Sequence, residues 1–166
     1  MRTTYSVVSS PVGDLTLVAE EGALVRLTME SQRHAPPSAD QGERDDRGFA
    51  AVREQLGEYF AGERTTFEVP LAPHGDSFKQ RVWALLREIP YGQTRTYGEL
   101  ARALGDVNLS QAVGSANARN PIGIIVPCHR VIGSDGSLVG YAGGLDRKRF
   151  LLALEEPEAA RADRLF

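Results

Sequence analysis

Residues 124–133 read IIVPCHRVIG, and Cys128 within them is the only cysteine of the 166-residue chain; His129 and Arg130 follow it directly. A thiol is nucleophilic as its thiolate, and an imidazole is the side chain best suited to take its proton near neutral pH. Pro127 fixes the backbone just before the thiol. The run Ile122–Val126 is apolar and β-branched, and it reads as a short strand delivering the pair. Adjacency alone does not join the two groups, because neighbours in a strand point to opposite faces. The chain must turn at Cys128 if His129 is to serve it, directly or through a water. The imidazole then needs a partner to fix its tautomer, usually a carboxylate. Asp135, Asp146 and Glu155 are the candidates, and local spacing does not choose among them. The competing reading is a buried cysteine acting as apolar filler.

Composition narrows the classes. With 42% hydrophobic and 25% charged residues the chain reads as an ordinary globular protein. No apolar run approaches the roughly 20 residues that span a bilayer, and MRTTYSVVSSP lacks a signal-peptide core, so a cytoplasmic location is expected. One cysteine forms neither an internal disulfide nor a multi-cysteine zinc site, and the only histidines are His34, His74 and His129. No metal and no cofactor are expected. The net charge of −3 is uneven: residues 1–75 carry 7 Lys+Arg against 12 Asp+Glu, residues 76–155 carry 10 against 7, and residues 156–166 carry 2 against 3. A mildly basic second half is compatible with nucleic acid without demanding it.

The elements that must position the thiol fall into two groups. Tyr5–Ser9, Asp14–Ala19 and Ala23–Met29 alternate as strands, with turns at Pro11–Gly13 and Glu20–Gly22, which predicts a small antiparallel meander. Residues 31–47 read as a polar surface loop. Phe49, Val52, Leu56, Tyr59 and Phe60 recur at helical spacing over 48–61. Thr65–Val69 reads as an edge strand and Pro70–Gly75 as a linker. From Asp76, Phe78, Val82, Leu85, Leu86 and Ile89 form one helical stripe that ends at Pro90–Gly92. Thr96 and Glu99 have capping-box spacing before a helix that stops at Gly105. Ser110 reads as the cap of a second short helix, QAVGSANAR, and the two suggest a helix-turn-helix. That second helix is built of small residues, so it can approach another surface closely or pack tightly inside the protein. Residues 133–144 are glycine-rich. A last helix, Asp146–Glu155, turns Phe150, Leu151 and Leu154 inward.

Asn120-Pro121, then Pro127-Cys128-His129-Arg130-Val131, then Gly140-Tyr141-Ala142-Gly143-Gly144, then Leu151-Leu152 and Glu155 together resemble the methylated-DNA–protein-cysteine methyltransferases. The likeness extends upstream through FKQRVWALLREIPYGQTRTYGELARALG and so covers about residues 76–155. It implies an α+β protein: a small amino-terminal antiparallel-sheet, ribonuclease-H-like domain over 1–72, a helical domain with a helix-turn-helix over 76–155, and a tail over 156–166. It implies single-turnover, irreversible transfer of an alkyl group from O6-alkylguanine in double-stranded DNA to Cys128. His129 is then the base, acting through a water, and Glu155 orients it. Asn120 holds the turn between recognition helix and thiol. Tyr97 helps rotate the nucleotide and donates a proton to the leaving oxygen. Gln111, Ala112, Gly114 and Ser115 face DNA in the minor groove, and Val131, Tyr141 and Ala142 wall the base pocket. No membrane partner is implied, and a monomer is expected.

Two departures stand out. Family members usually carry an arginine where this chain has Gln111, and some carry a serine where it has Ala142. Some also hold an amino-terminal zinc, for which this chain lacks the cysteines. Three rivals remain: a non-catalytic alkyltransferase-like protein, against which the intact Cys128 argues; a DNA-binding regulator with a structural cysteine; and a Cys-His-Glu hydrolase.

Overall fold

A computed structural model of the chain describes residues 2–30, 32, 41–138 and 140–157. Most of the loop read over 31–47 and most of the tail over 156–166 lie outside the described residues. The fold is α+β, a small sheet followed by a helical half. Strands β1 (Thr3–Val8), β2 (Leu15–Glu20) and β3 (Ala23–Met29) form the expected meander. Leu15, Leu17, Leu27 and Met29 turn inward from it. The sheet is nevertheless mixed: a two-residue strand, β4 (Glu43–Arg44), adds parallel to β1, giving the order β3-β2-β1-β4. Its residues, both charged and exposed, carry no alternation by which a strand is read.

Helix α1 (Ala50–Phe60), entered through a 3-10 turn at Arg47–Phe49, buries Val52, Leu56 and Tyr59. The segment 65–69 forms no strand. The edge of β3 is met instead by the linker, where Leu24 N–H donates to Pro70 and Ala72 N–H donates back to Leu24. Helix α2 (Ser77–Arg87) is capped by Asp76, whose carboxylate accepts from Lys79 N–H at 2.9 Å. Its Trp83 donates to the carbonyl of Ala116 at 2.9 Å.

Strand β5 (Arg95–Thr96) leads into α3 (Tyr97–Ala103), where the Thr96–Glu99 capping box is complete. A 3-10 turn at Val107–Leu109 joins α3 to α4 (Ser110–Ala118). Ser110 is not the cap. It is the first helical residue, its hydroxyl donates to Val107, and Asp106 caps the preceding turn through Asn108 N–H. Helix α5 (Leu145–Glu155) buries Leu151, Lys148 and Glu155 but leaves Phe150 39% exposed, contrary to the inward stripe expected of it.

One core runs through both halves, from Leu15 and Leu27 past Trp83 and Leu86 to Val113, Val126 and Leu151. Two glycines report opposite local constraints. A Cβ on Gly75 would clash with the Trp83 ring, whereas one on Gly57, mid-α1, would meet nothing within 4 Å. Gly75→Ala is therefore expected to destabilise by about 1–3 kcal/mol through overpacking. Gly57→Ala should stabilise by roughly 0.5–1 kcal/mol through helix propensity. Urea unfolding of the two variants checks both, and shifts of equal sign would contradict the packing described.

Candidate active site

The run Ile122–Val126 is not a strand. Ile122 bridges Leu27 of β3, and then the chain coils. Ile124 adopts φ 70°, and Ile125 N–H donates to Gly123 across it at 2.8 Å, a γ-turn in the left-handed region that a β-branched residue rarely enters. Pro127, at φ −81° and ψ 65°, is the centre of an inverse γ-turn closed by Cys128 N–H to Val126 at 2.8 Å. Cys128–Arg130 then form a 3-10 turn. This meets the requirement that the chain turn at the thiol. Two asparagines staple the coil, Asn117 within α4 and Asn120 just past its end. Asn120 accepts from Ile122 N–H at 3.0 Å and donates to Val126 at 2.8 Å, and Asn117 donates to the carbonyl of Cys128 at 3.3 Å.

Behind the thiol, His129 is fully buried and its Nε2–H donates to Glu155 Oε2 at 2.7 Å. Of the three carboxylates that spacing left open, Glu155 is the one that reaches it. Its Nδ1 is buried and has no hydrogen-bond partner among the described residues, so a lone pair remains to accept a proton. Arg130 clamps Glu155 from the other side, Nε to Oε1 at 2.6 Å and Nη2 to Oε2 at 3.0 Å, and its Nη1 donates to Ile89. Burial alone would raise the Glu155 carboxyl, but His129 and Arg130 outweigh it and hold it at about 2.

Burial pushes the Cys128 thiol up, opposed by Asn120 and by the positive charge of Lys148. Burial pushes His129 down, opposed by Glu155. At rest the pair is therefore a neutral thiol beside a neutral imidazole, next to a carboxylate that keeps its charge. Lys148 was not foreseen. It is fully buried, donates to the carbonyl of Val131 at 2.6 Å, and is lowered by burial to about 8. A signal existed: one of only two lysines stands at 148, on the same helical face as Leu151 and Glu155.

Tyr97 and Tyr141 both lie close enough to Cys128 for its charge to raise their hydroxyls, after burial as the larger cause. Both stay protonated, as a proton donor must. Tyr97 packs toward α4: a Cβ on Gly114 would lie 3.8 Å from its ring. Gly114 thus faces Tyr97, while Gln111, Ala112 and Ser115 are exposed on the outer side. Val131 is buried and Ala142 half-buried. The carbonyls of Cys128 and Val131 each already accept from one side chain, Asn117 and Lys148 respectively. A two-residue parallel ladder, Arg95–Thr96 with β6 (Val131–Ile132), ties Tyr97 to the thiol turn.

Sequence profiles match both halves. The profile for "6-O-methylguanine DNA methyltransferase, ribonuclease-like domain" matches residues 3–73, and that for its "DNA binding domain" matches residues 77–157. The chain is 49% identical over 162 residues to a methylated-DNA–protein-cysteine methyltransferase of Mycolicibacterium paratuberculosis, covering 98% of each chain. It is 48% identical to the protein of that name from Methanosarcina acetivorans, covering 91% of this chain and 97% of that one. The crystal structure of Mycobacterium tuberculosis OGT in complex with DNA superposes with a TM-score of 0.87 at 49% identity, covering 92% of each chain.

The buried carboxylate generates an acid-stability prediction. Its folded value, about 2, lies below its ordinary value of 4.5. Its contribution is therefore complete above about pH 4.5 and is lost as pH falls toward 2, a change on the order of 3 kcal/mol. Melting temperature should fall more steeply with acid in the parent protein than in Glu155→Gln, and equal slopes would show that this carboxyl is not held ionised by its partners.

Proposed function

The chain belongs to the 6-O-methylguanine DNA methyltransferase family, and from that membership we infer that it repairs O6-alkylguanine in double-stranded DNA by irreversible transfer of the alkyl group to its own cysteine. Cys128 is the acceptor, because the chain has no other. The observation that carries the residue assignment is the His129–Glu155 bond of 2.7 Å directly beside that thiol.

We assign the steps as follows. Neutral His129 takes the thiol proton through a water at Nδ1, and Glu155 stabilises the imidazolium that forms. Lys148 and Asn120 favour the thiolate. The sulfur attacks the alkyl carbon, an S–C bond forms, and the C–O6 bond breaks with its electron pair on O6. Tyr97 supplies the proton to O6 and is reprotonated from solvent, to which His129 returns the one it took. The thioether is stable and no second thiol regenerates Cys128, so each molecule acts once. The target oxygen lies inside the duplex, so the base must be flipped out at a cost of a few kcal/mol. Asn120 holds the thiol turn, Val131, Tyr141 and Ala142 wall the pocket, and Gln111, Ala112 and Ser115 present α4 to the minor groove, with Gly114 lying between them and Tyr97.

We further propose a boundary between 1–72 and 76–155 with 156–166 as tail, supported by the spans of the two profiles. No helix among the described residues is long and apolar enough to cross a membrane. A monomeric, cytoplasmic protein needing no cofactor is proposed.

Two experiments test the assignment. Intact mass after mixing with an O6-methylguanine oligonucleotide should rise by one methyl group on Cys128. Cys128→Ser should fold and gain nothing, whereas methylated Cys128→Ser would place the acceptor elsewhere. Gln111 concerns the flip. An arginine offers charge, stacking surface and several donors to the gap left by a flipped base, and glutamine offers one uncharged amide. Gln111→Arg is expected to strengthen binding of damaged duplex by on the order of 1–2 kcal/mol. It should speed duplex repair yet leave reaction with free benzylguanine nearly unchanged. An equal effect on both substrates would put residue 111 in the chemistry.

A further inference from the structure

The carboxylate that partners His129 is also bound by a residue from the other half of the chain. Tyr59, on α1, is fully buried, and its hydroxyl donates to Glu155 Oε2 at 2.5 Å. That oxygen also receives His129 Nε2–H at 2.7 Å and Arg130 Nη2–H at 3.0 Å. The Tyr59 ring is fixed by Phe60, Phe67 and Tyr91, with centroids 5.1, 5.4 and 6.3 Å away. Tyr91 in turn stacks under the Arg130 guanidinium at 5.8 Å. Packing of the ring against three aromatic neighbours thus holds the hydroxyl toward Glu155.

We propose that Tyr59 is a positioning residue for the alkyl transfer: its hydroxyl shares the negative charge of Glu155 Oε2 with His129, and so sets the pH above which His129 can take the thiol proton. This rests on the reading of Cys128 as the alkyl acceptor.

The argument is electrostatic. A carboxylate oxygen has limited charge and few lone-pair sites, so donors on one oxygen compete. The more of that charge Tyr59 engages, the less remains to stabilise an imidazolium. The groups facing His129 are Glu155 and Lys148 from α5, Cys128 and Arg130 from its own turn, and Tyr59 from α1. Tyr91 backs Arg130, and Tyr97 and Tyr141 stand beyond the thiol. Glu155 supplies the negative charge in this set, and Lys148 and Arg130 oppose protonation. Burial and Glu155 hold the Tyr59 hydroxyl far above its ordinary range, so it stays a donor throughout. Loss of the hydroxyl concentrates charge on Oε2, makes His129 more basic, and moves the acid limb of the reaction upward in pH.

Tyr59→Phe removes the hydroxyl and keeps the ring. Single-turnover methyl transfer from a saturating O6-methylguanine duplex, followed by intact mass over about pH 4.5 to 9, should show the acid limb displaced upward by roughly half a unit or more. The His129 imidazole titration, followed by NMR in the free protein, should move the same way. Incorporation of 3-fluorotyrosine at position 59 makes the hydroxyl a stronger donor, and should displace both downward. It also supplies the test if the phenylalanine variant does not fold. A uniform loss of rate with both midpoints unmoved overturns the proposal and leaves Tyr59 a packing residue. Absence of methyl transfer in the parent protein at every pH would instead overturn the alkyl-transfer reading itself.

Discussion

The structure depends on keeping one carboxylate charged inside the protein. Glu155 is 2% exposed, and an ion so buried costs several kcal/mol unless its hydrogen-bonding capacity is filled. Four donors fill it: His129, Tyr59 and two nitrogens of Arg130. They come from α1 and from the turn at Cys128, and Arg130 is itself held by the carbonyl of Ile89 beyond α2. Three of the donors come from the same half of the chain as Glu155, and the fourth, Tyr59, comes from the other. The docking of the sheet half on the helical half, the last turn of α5 and the geometry of the thiol turn are thus conditions on a single electrostatic balance.

The same balance explains an unusual backbone. Side chains of adjacent residues diverge in a strand, but a 3-10 turn rotates them by about a third of a circle. That rotation lets Cys128 face Tyr97 and Tyr141 while His129 faces Glu155. To enter the turn from the edge of β3 within a few residues, the chain reverses at Ile124 in a conformation that disfavours its side chain. Burial of Ile122, Ile124 and Val126, together with the two asparagine staples, offsets that strain.

What the sequence made legible follows physical lines. The three-stranded meander, the helices and the Thr96–Glu99 box each follow from a local rule, alternation, helical spacing or capping geometry, and the structure has them. Ile122–Val126 misled because an apolar β-branched run looks the same whether it pairs in a ladder or coils in the core. Thr65–Val69 failed for the related reason that propensity does not supply a partner strand. Ser110 misled because a hydroxyl near a helix start can bond backward as readily as forward. Cys128, His129 and Glu155 came from a motif, which names residues but not their neighbours. Asn117, Lys148 and Tyr59 reach the site by tertiary packing across 11, 17 and 96 positions of sequence; helical spacing marks Tyr59 as inward-facing but does not name the carboxylate it meets. Of the site itself, only the rarity of lysine gave a hint.

That rarity has a practical side. Lys79 and Lys148 are the only lysines, and they differ in kind. The Lys79 side chain is 35% exposed and pairs loosely with Asp76 at 3.9 Å. Lys148 has a lowered value, about 8, and no exposure. The lowered value makes the Lys148 amine ready to acylate near neutral pH, yet a reagent cannot reach it while α5 is seated. Its acylation by a small amine-reactive label would time the opening of α5, with Lys79 as an internal standard in the same digest.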